Sequence, residues 1–177
     1  MQVEKTTPKL TLSAVFTVMA VVTALLEGFL PLQFIISIPG VKLGIANVFT
    51  VIAFSALGIK YSISVAVLRV IIVFLFTGNP VSLAMSMSGT IFSFIITAIM
   101  IKFVYVAFTY ISVSALSAVF HGIGQFVCAY LFIGKGVFYY LPVLCFGCAL
   151  TGIFTGTLMN ITIPKVKKYF NISHERI

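Results

Sequence analysis

Long apolar stretches, broken by single lysines, glycines and prolines, recur along the whole chain and constrain it more than any motif does. They cover residues 10–27, 41–57, 61–77, 81–101, 111–133 and 137–161. Each approaches the roughly 20 residues that carry an α-helix across the hydrocarbon layer. A helix satisfies its own backbone polar groups, so it can cross a medium without water. Of the 177 residues 61% are hydrophobic and 8% charged, against about 25% charged in a soluble domain. So few charges cannot cover that much apolar surface in water. This excludes a cytosolic enzyme, a secreted disulfide scaffold and a disordered tail. The expected fold is all-α: a polytopic membrane protein of six transmembrane helices, forming a single integral membrane domain over residues 1–177.

Punctuation between the stretches supports that division. Met1 to Lys9 is polar and cationic, and Pro8 is expected to lie ahead of the first helix rather than inside it. A signal peptide is the competing reading of the first stretch. It is set aside because Glu27-Gly28-Phe29-Leu30-Pro31 follows instead of a small-residue cleavage site. Residues 28–40 are apolar but broken by Pro31 and Pro39, which predicts a re-entrant or interfacial loop. Gly58-Ile59-Lys60, Gly78-Asn79-Pro80 and Gly134-Lys135-Gly136 read as turns, residues 102–110 as a connection, and Pro164 as the start of a basic tail over 164–177.

The cations test this count independently. There are 11 Lys+Arg against 3 Asp+Glu. With six spans and the N-terminus inside, Lys5, Lys9, Lys60, Lys102, Lys165, Lys167, Lys168 and Arg176 fall on the cytoplasmic side. Only Lys42 and Lys135 fall outside, the bias that the positive-inside rule requires. Both termini are therefore expected in the cytoplasm. Basic residues scattered singly or gathered at the chain ends do not make a nucleic-acid surface.

Arg69 remains, within the third stretch and near the bilayer centre. An arginine there costs about 2.5–3.5 kcal/mol on insertion scales and marks a functional site or a paired charge. His121 and Gln125 are four apart and share a helix face, which Ser114, Ser117 and Ala118 continue. These residues read either as ligand contacts or as interhelical hydrogen bonds, the serines more naturally as the latter. Ser82, Ser86, Gly89, Ser93 and Thr97 form a second stripe, a packing seam from which Ser82 and Ser86 could still reach a ligand. On the six-span topology Glu27, Lys42, Asn47, Arg69, Asn79, His121 and Gln125 all lie between the outer surface and the midplane. Polar groups gathered at one side of an apolar bundle describe a cavity open to the outside. Lys42 and Arg69 outweigh Glu27, so an anionic ligand is favoured. Ser13, Thr17, Ala20 and Ala24 make a small-residue stripe that admits a close helix neighbour, in the bundle or on a partner. Gly152 and Gly156 read as packing within the bundle.

Other chemistry is poorly supported. Cys145 and Cys148 have C-x-x-C spacing but lie in an apolar stretch without a thioredoxin-like context. Candidate ligands are too few for a structural metal, and no cofactor is implied. Gly134-Lys135-Gly136 lacks the phosphate-loop pattern, so hydrolysis of ATP would need another subunit. The chain has no aspartate, which excludes the Asp-rich magnesium–diphosphate site of a prenyltransferase. An enzyme is not expected.

Four segments carry a resemblance: Glu27-Gly28-Phe29-Leu30-Pro31, Ile38-Pro39-Gly40-Val41-Lys42-Leu43-Gly44-Ile45-Ala46-Asn47, Leu68-Arg69-Val70 and Phe120-His121-Gly122-Ile123-Gly124-Gln125. Together they resemble the Gx transporter family, also labelled heptaprenyl diphosphate synthase component I. The likeness extends over residues 10–161. The family's H-N-x-G-Q has glycine, Gly122, in place of asparagine here. The family is similar to the S components of energy-coupling factor (ECF) transporters, six-helix proteins of the bacterial cell membrane that capture a small molecule outside. The resemblance implies docking on an ATPase pair and a transmembrane coupling subunit through small residues of the first helix, here within residues 20–24. It also implies an isoprenoid link.

The leading expectation is a substrate-binding transporter subunit, surrounded by membrane lipid, for a small anionic or isoprenoid-related molecule. Glu27, Lys42, Asn47, Arg69, Asn79, Ser86, His121 and Gln125 would line its site under a lid over 31–39, and Ser13, Thr17, Ala20 and Ala24 would dock the partner. The alternatives are a non-transporting subunit of polyprenyl, quinone or redox metabolism, and an ion-coupled secondary transporter using Glu27 and His121.

Overall fold

The computed structural model describes residues 3–29, 42–103 and 109–169. Their elements are α1 (Val3–Gly28), α2 (Asn47–Leu57), α3 (Ile59–Thr77), α4 (Pro80–Phe103), α5 (Tyr110–Ile133), a 3-10 turn (Lys135–Tyr140) and α6 (Leu141–Tyr169). Five helical stretches are long and apolar enough to cross a membrane: Thr7–Gly28, Ile59–Thr77, Pro80–Ile101, Tyr110–Ile133 and Lys135–Val166. The sixth, α2, has 11 residues. At 1.5 Å per residue it reaches only about half of a 30 Å hydrocarbon layer.

Four sequence expectations are corrected here. The stretch 41–57 becomes helical only at Asn47, because Gly44 takes a φ of +80° and breaks the path into the helix. Pro8 lies inside α1. It falls near the helix's polar end, where the carbonyl freed by its missing N–H can find water. Pro164 likewise sits inside α6 instead of ending it. The carbonyl it releases belongs to exposed Asn160. The expected connection 102–110 shortens on both sides, with α4 reaching Phe103 and α5 beginning at Tyr110.

The turn between α3 and α4 is made by three residues. Gly78 ends α3 in the left-handed conformation (φ +61°), and its N–H donates to the Phe74 carbonyl at 2.8 Å. Asn79 caps α4 through its Oδ1, which accepts from Val81 N at 3.0 Å and Ser82 N at 3.1 Å. Pro80 follows at the first helical position, where its absent N–H costs nothing.

Helix α5 is the centre of the bundle, packed extensively on α4 and on α6, while α1 lies against α3. Small residues permit these approaches. A Cβ on Gly152 would lie 2.6 Å from Ala115 Cα, and one on Gly156 2.6 Å from Ile111 Cα. Across the other face of α5, a Cβ on Gly124 would lie 2.7 Å from the Ser88 carbonyl oxygen. The reading of Gly152 and Gly156 as intramolecular packing agrees with these contacts. Apolar packing gathers Phe16, Ile52, Val65, Met100, Val113 and Met159 at one end and Met85, Phe126, Val137 and Leu144 at the other.

The contact at Gly152 is to backbone, which cannot rotate away. Gly152→Leu should therefore lower stability by about 1–3 kcal/mol, as overpacking generally does. Gly136→Ala, with open space around its Cβ position, should leave the thermal midpoint unchanged; thermal unfolding in detergent measures both.

Candidate functional site

The site forms between the end of α1, the middle of α3 and the short non-helical segment 42–46 that leads into α2. The turn that leads into α2 lies inside an apolar bundle, where its amides need partners. Asn47 N and Val48 N, the first of the helix, donate back to the Gly44 and Ile45 carbonyls at 2.9 and 3.1 Å, and Glu27, at the end of α1, takes the two amides before them. Its Oε1 accepts from Ile45 N at 2.8 Å and its Oε2 faces Ala46 N at 3.5 Å. Ala46 itself contributes no side-chain cap. Glu27 is 4% exposed.

Two further helices fasten the same segment. Lys42 N donates to Gln125 Oε1 of α5 at 3.1 Å, and the Thr151 hydroxyl of α6 lies 3.3 Å from the Leu43 carbonyl, sharing its one proton between that oxygen and the Gly147 and Cys148 carbonyls of its own helix at 3.1 and 3.0 Å. Residues 42–46 are thus a strap held by one side chain each from α1, α5 and α6. Lys42, on this strap and outside the long apolar helices, lines the same cavity as Glu27. Burial lowers its affinity for the proton, Glu27 counteracts that, and Arg69 adds to the lowering.

Gln125 also orients His121. With Gln125 Oε1 taken by Lys42 N–H, its amide nitrogen faces His121 Nε2 at 2.9 Å. An amide nitrogen only donates, so Nε2 is the acceptor, the ring is neutral, and its proton is on Nδ1. Glycines on two sides make room for this ring. A Cβ on Gly44 would lie 2.9 Å from His121 Cδ2, and one on Gly89 2.8 Å from both Cε1 and Nδ1. His121 is 3% exposed and Gln125 1%.

Arg69 approaches from α3 and is 4% exposed. Its Nη2 donates to Thr90 Oγ1 of α4 at 2.7 Å, its one hydrogen bond among the described residues. A guanidinium has five N–H donors, so most of its capacity is left for the cavity it lines. That cavity is bounded by Glu27, Lys42, Gly44, Arg69, Ser86 and His121, with Ala24, Ala46, Val70 and Val73 as its apolar wall. Its empty volume is about 310 Å³ including the open mouth. Clear of atoms, it has room for only about one water-sized molecule.

Of the residues singled out in the sequence, the structure gathers Glu27, Lys42, Arg69, Ser86 and His121 around this cavity, with Gln125 behind His121. Asn47 goes elsewhere. It donates to Ser93 and, at 3.1 Å, to Ser117, in a buried cluster that Thr97 joins through Ser117 at 3.0 Å. Ser114 bonds Thr155 of α6 at 2.9 Å. These serines tie helices together. Asn79 is exposed and acts as the cap of α4, away from the cavity.

The small-residue stripe faces the bundle, the first of the two neighbours expected for it. Ser13, Thr17, Ala20 and Ala24 are all buried inside the bundle, and Ala24 reaches the cavity wall. Their small size lets α1 lie closely within its own chain, and the exposed face of α1 is instead made of larger residues such as Val15, Val18, Met19 and Val22. The lid expected over 31–39 lies outside the described residues. Thr90, Thr151 and the Gly44–Gly89 clasp were not anticipated. Thr90 adjoins the Gly89 stripe position and Gly44 lies in the second of the four segments, but neither placement has a sequence signal of its own.

The model of the family described as heptaprenyl diphosphate synthase component I matches residues 16–162. The chain belongs to that family. No curated protein and no solved structure matches it. The span matched by this synthase component I family encloses every residue of the cavity, from Ala24 to His121.

Asn79 separates a capping role from a ligand role. Asn79→Ala should cost about 1 kcal/mol of stability, the usual loss of an N-cap, and leave ligand binding unchanged. Thermal unfolding and a binding titration on the same preparation check both halves.

Proposed function

We propose that this chain is a membrane-embedded binding component that captures a small anionic molecule from the outer face. It acts without catalysing a reaction itself. The observation that carries this reading is Arg69, a buried guanidinium whose one hydrogen bond goes to a neutral hydroxyl, in a cavity where it and Lys42 share a single carboxylate, Glu27. Burying a charge is costly unless it is paired, and an incoming anion would pair the cation that Glu27 leaves over. Ser86 and neutral His121 would supply further polar contacts, with Gln125 holding the ring.

The topology proposed with it has six segments, α2 completing the set as a half-length helix, and both termini in the cytoplasm. The eight-to-two division of the flanking cations supports it. In that orientation the cavity opens outward, as in an ECF S component. An ATPase pair with a coupling subunit would then supply energy. Its docking face would lie elsewhere than the buried stripe on α1.

The family description favours a second reading, a non-transporting membrane subunit of a heptaprenyl diphosphate synthase. Co-purification separates the two, since the first predicts ATPase subunits and the second a prenyltransferase.

Arg69→Gln tests the site under either reading. Gln keeps a donor for Thr90 but removes the charge. Native mass spectrometry of wild-type protein from its own membranes should find a retained small anion, and the variant should lose it while keeping its thermal midpoint within a few degrees. Equal retention in a folded variant would overturn the assignment.

A further inference from the structure

The charge count at this site narrows the ligand further. The cavity is lined by two basic side chains, Lys42 and Arg69, and one acidic one, Glu27. Residues 28–41, which join α1 to the strap, contain no charged residue in the sequence, and Lys135 is exposed on the turn before α6. His121 is neutral, because its Nε2 accepts from Gln125. Both Glu27 oxygens face backbone N–H groups, an arrangement suited to the ionised carboxylate, and the basic pair favours the same form. The site therefore has one positive charge in excess.

Resting on the anion-binding reading above, we infer that the ligand carries one negative charge at the group that enters this site, and that Glu27 sets that number. A monoanion, such as a carboxylate or a phosphodiester, leaves the buried cluster neutral. A dianionic phosphate monoester leaves it with a net negative charge in an apolar surrounding, where uncompensated charge is most costly. A diphosphate overfills it further. Glu27 is held in place, because its carboxylate takes the Ile45 and Ala46 amides of the turn that leads into α2. It is thus both the anchor of the strap and the local repulsion against a second negative charge, an attraction and a rejection in one site.

Two probes of similar size separate the possibilities: dimethyl phosphate, a monoanion, and methyl phosphate, which at pH 8 is a dianion because its second pKa is near 6. Titration calorimetry on the full chain in nanodiscs at pH 8 should show wild-type protein binding dimethyl phosphate about tenfold or more tightly than methyl phosphate. Glu27→Gln retains an oxygen acceptor for Ile45 N while removing the negative charge. It should erase or reverse that ratio. A wild-type preference for the dianion, or a ratio that Glu27→Gln leaves unchanged, overturns the inference while anion binding itself stands. Binding of neither probe by folded wild-type protein overturns the anion-binding reading and this inference with it. The wild-type comparison decides the matter even where the variant does not fold.

Discussion

Backbone N–H groups buried in an apolar bundle must find partners, and the Glu27 carboxylate is the partner for Ile45 and Ala46 in the turn that leads into α2. The rest of the site follows from that bond. A carboxylate in such a place calls for positive charge, and Lys42 and Arg69 are the cations that share its cavity. The bond also fixes the strap 42–46, whose other fasteners, Gln125 and Thr151, come from α5 and α6. One acid thus links the end of α1 to the beginning of α2 and gives the basic pair its counter-charge.

Much of this was legible in the sequence for simple reasons. Helix-forming apolar stretches are bounded by residues that cannot continue a helix, and Gly78-Asn79-Pro80 shows the limit of that logic at its best. Each of its three residues does in the structure what its chemistry dictates. Proline misled in the other direction. Pro8 and Pro164 remain within helices because the hydrogen bond each removes lies toward a helix end. Scarcity of charge made Glu27, Lys42 and Arg69 conspicuous, and they do converge. Asn47 and Asn79 were equally conspicuous but serve helix contacts and capping, since polarity alone does not say which neighbour a side chain will meet. The stripe from Ser13 to Ala24 left its neighbour open for a related reason. Small residues announce a close approach and not the identity of what approaches.

The least legible feature is the clasp around His121. Nothing in the spacing of Gly44, Gly89 and His121 predicts that a ring from α5 will lie against backbone from both the strap and α4. Glycine at both places is required by contact distances that appear only once three elements are packed. The consequence is a histidine with little freedom to turn. Its tautomer is set by Gln125, which is itself set by the Lys42 amide. An imidazole held in this way is suited to orienting a ligand rather than to shuttling a proton, which would require it to change its hydrogen bonds.

The size of the cavity adds a mechanical constraint to the proposed function. With room for about one water-sized molecule clear of atoms, it cannot admit an organic anion in the arrangement described. Something at its boundary has to move, and the helices are poor candidates. The α5–α6 contact has backbone against glycine at Gly152 and Gly156, so sliding those helices would break close packing along much of their length. The strap is different. It is held by few hydrogen bonds, most of them from single side chains to backbone, and it contains Gly44 in a left-handed conformation. Gly44 and Lys42, which both line the cavity, are carried by this strap, so it is the boundary whose contacts are fewest.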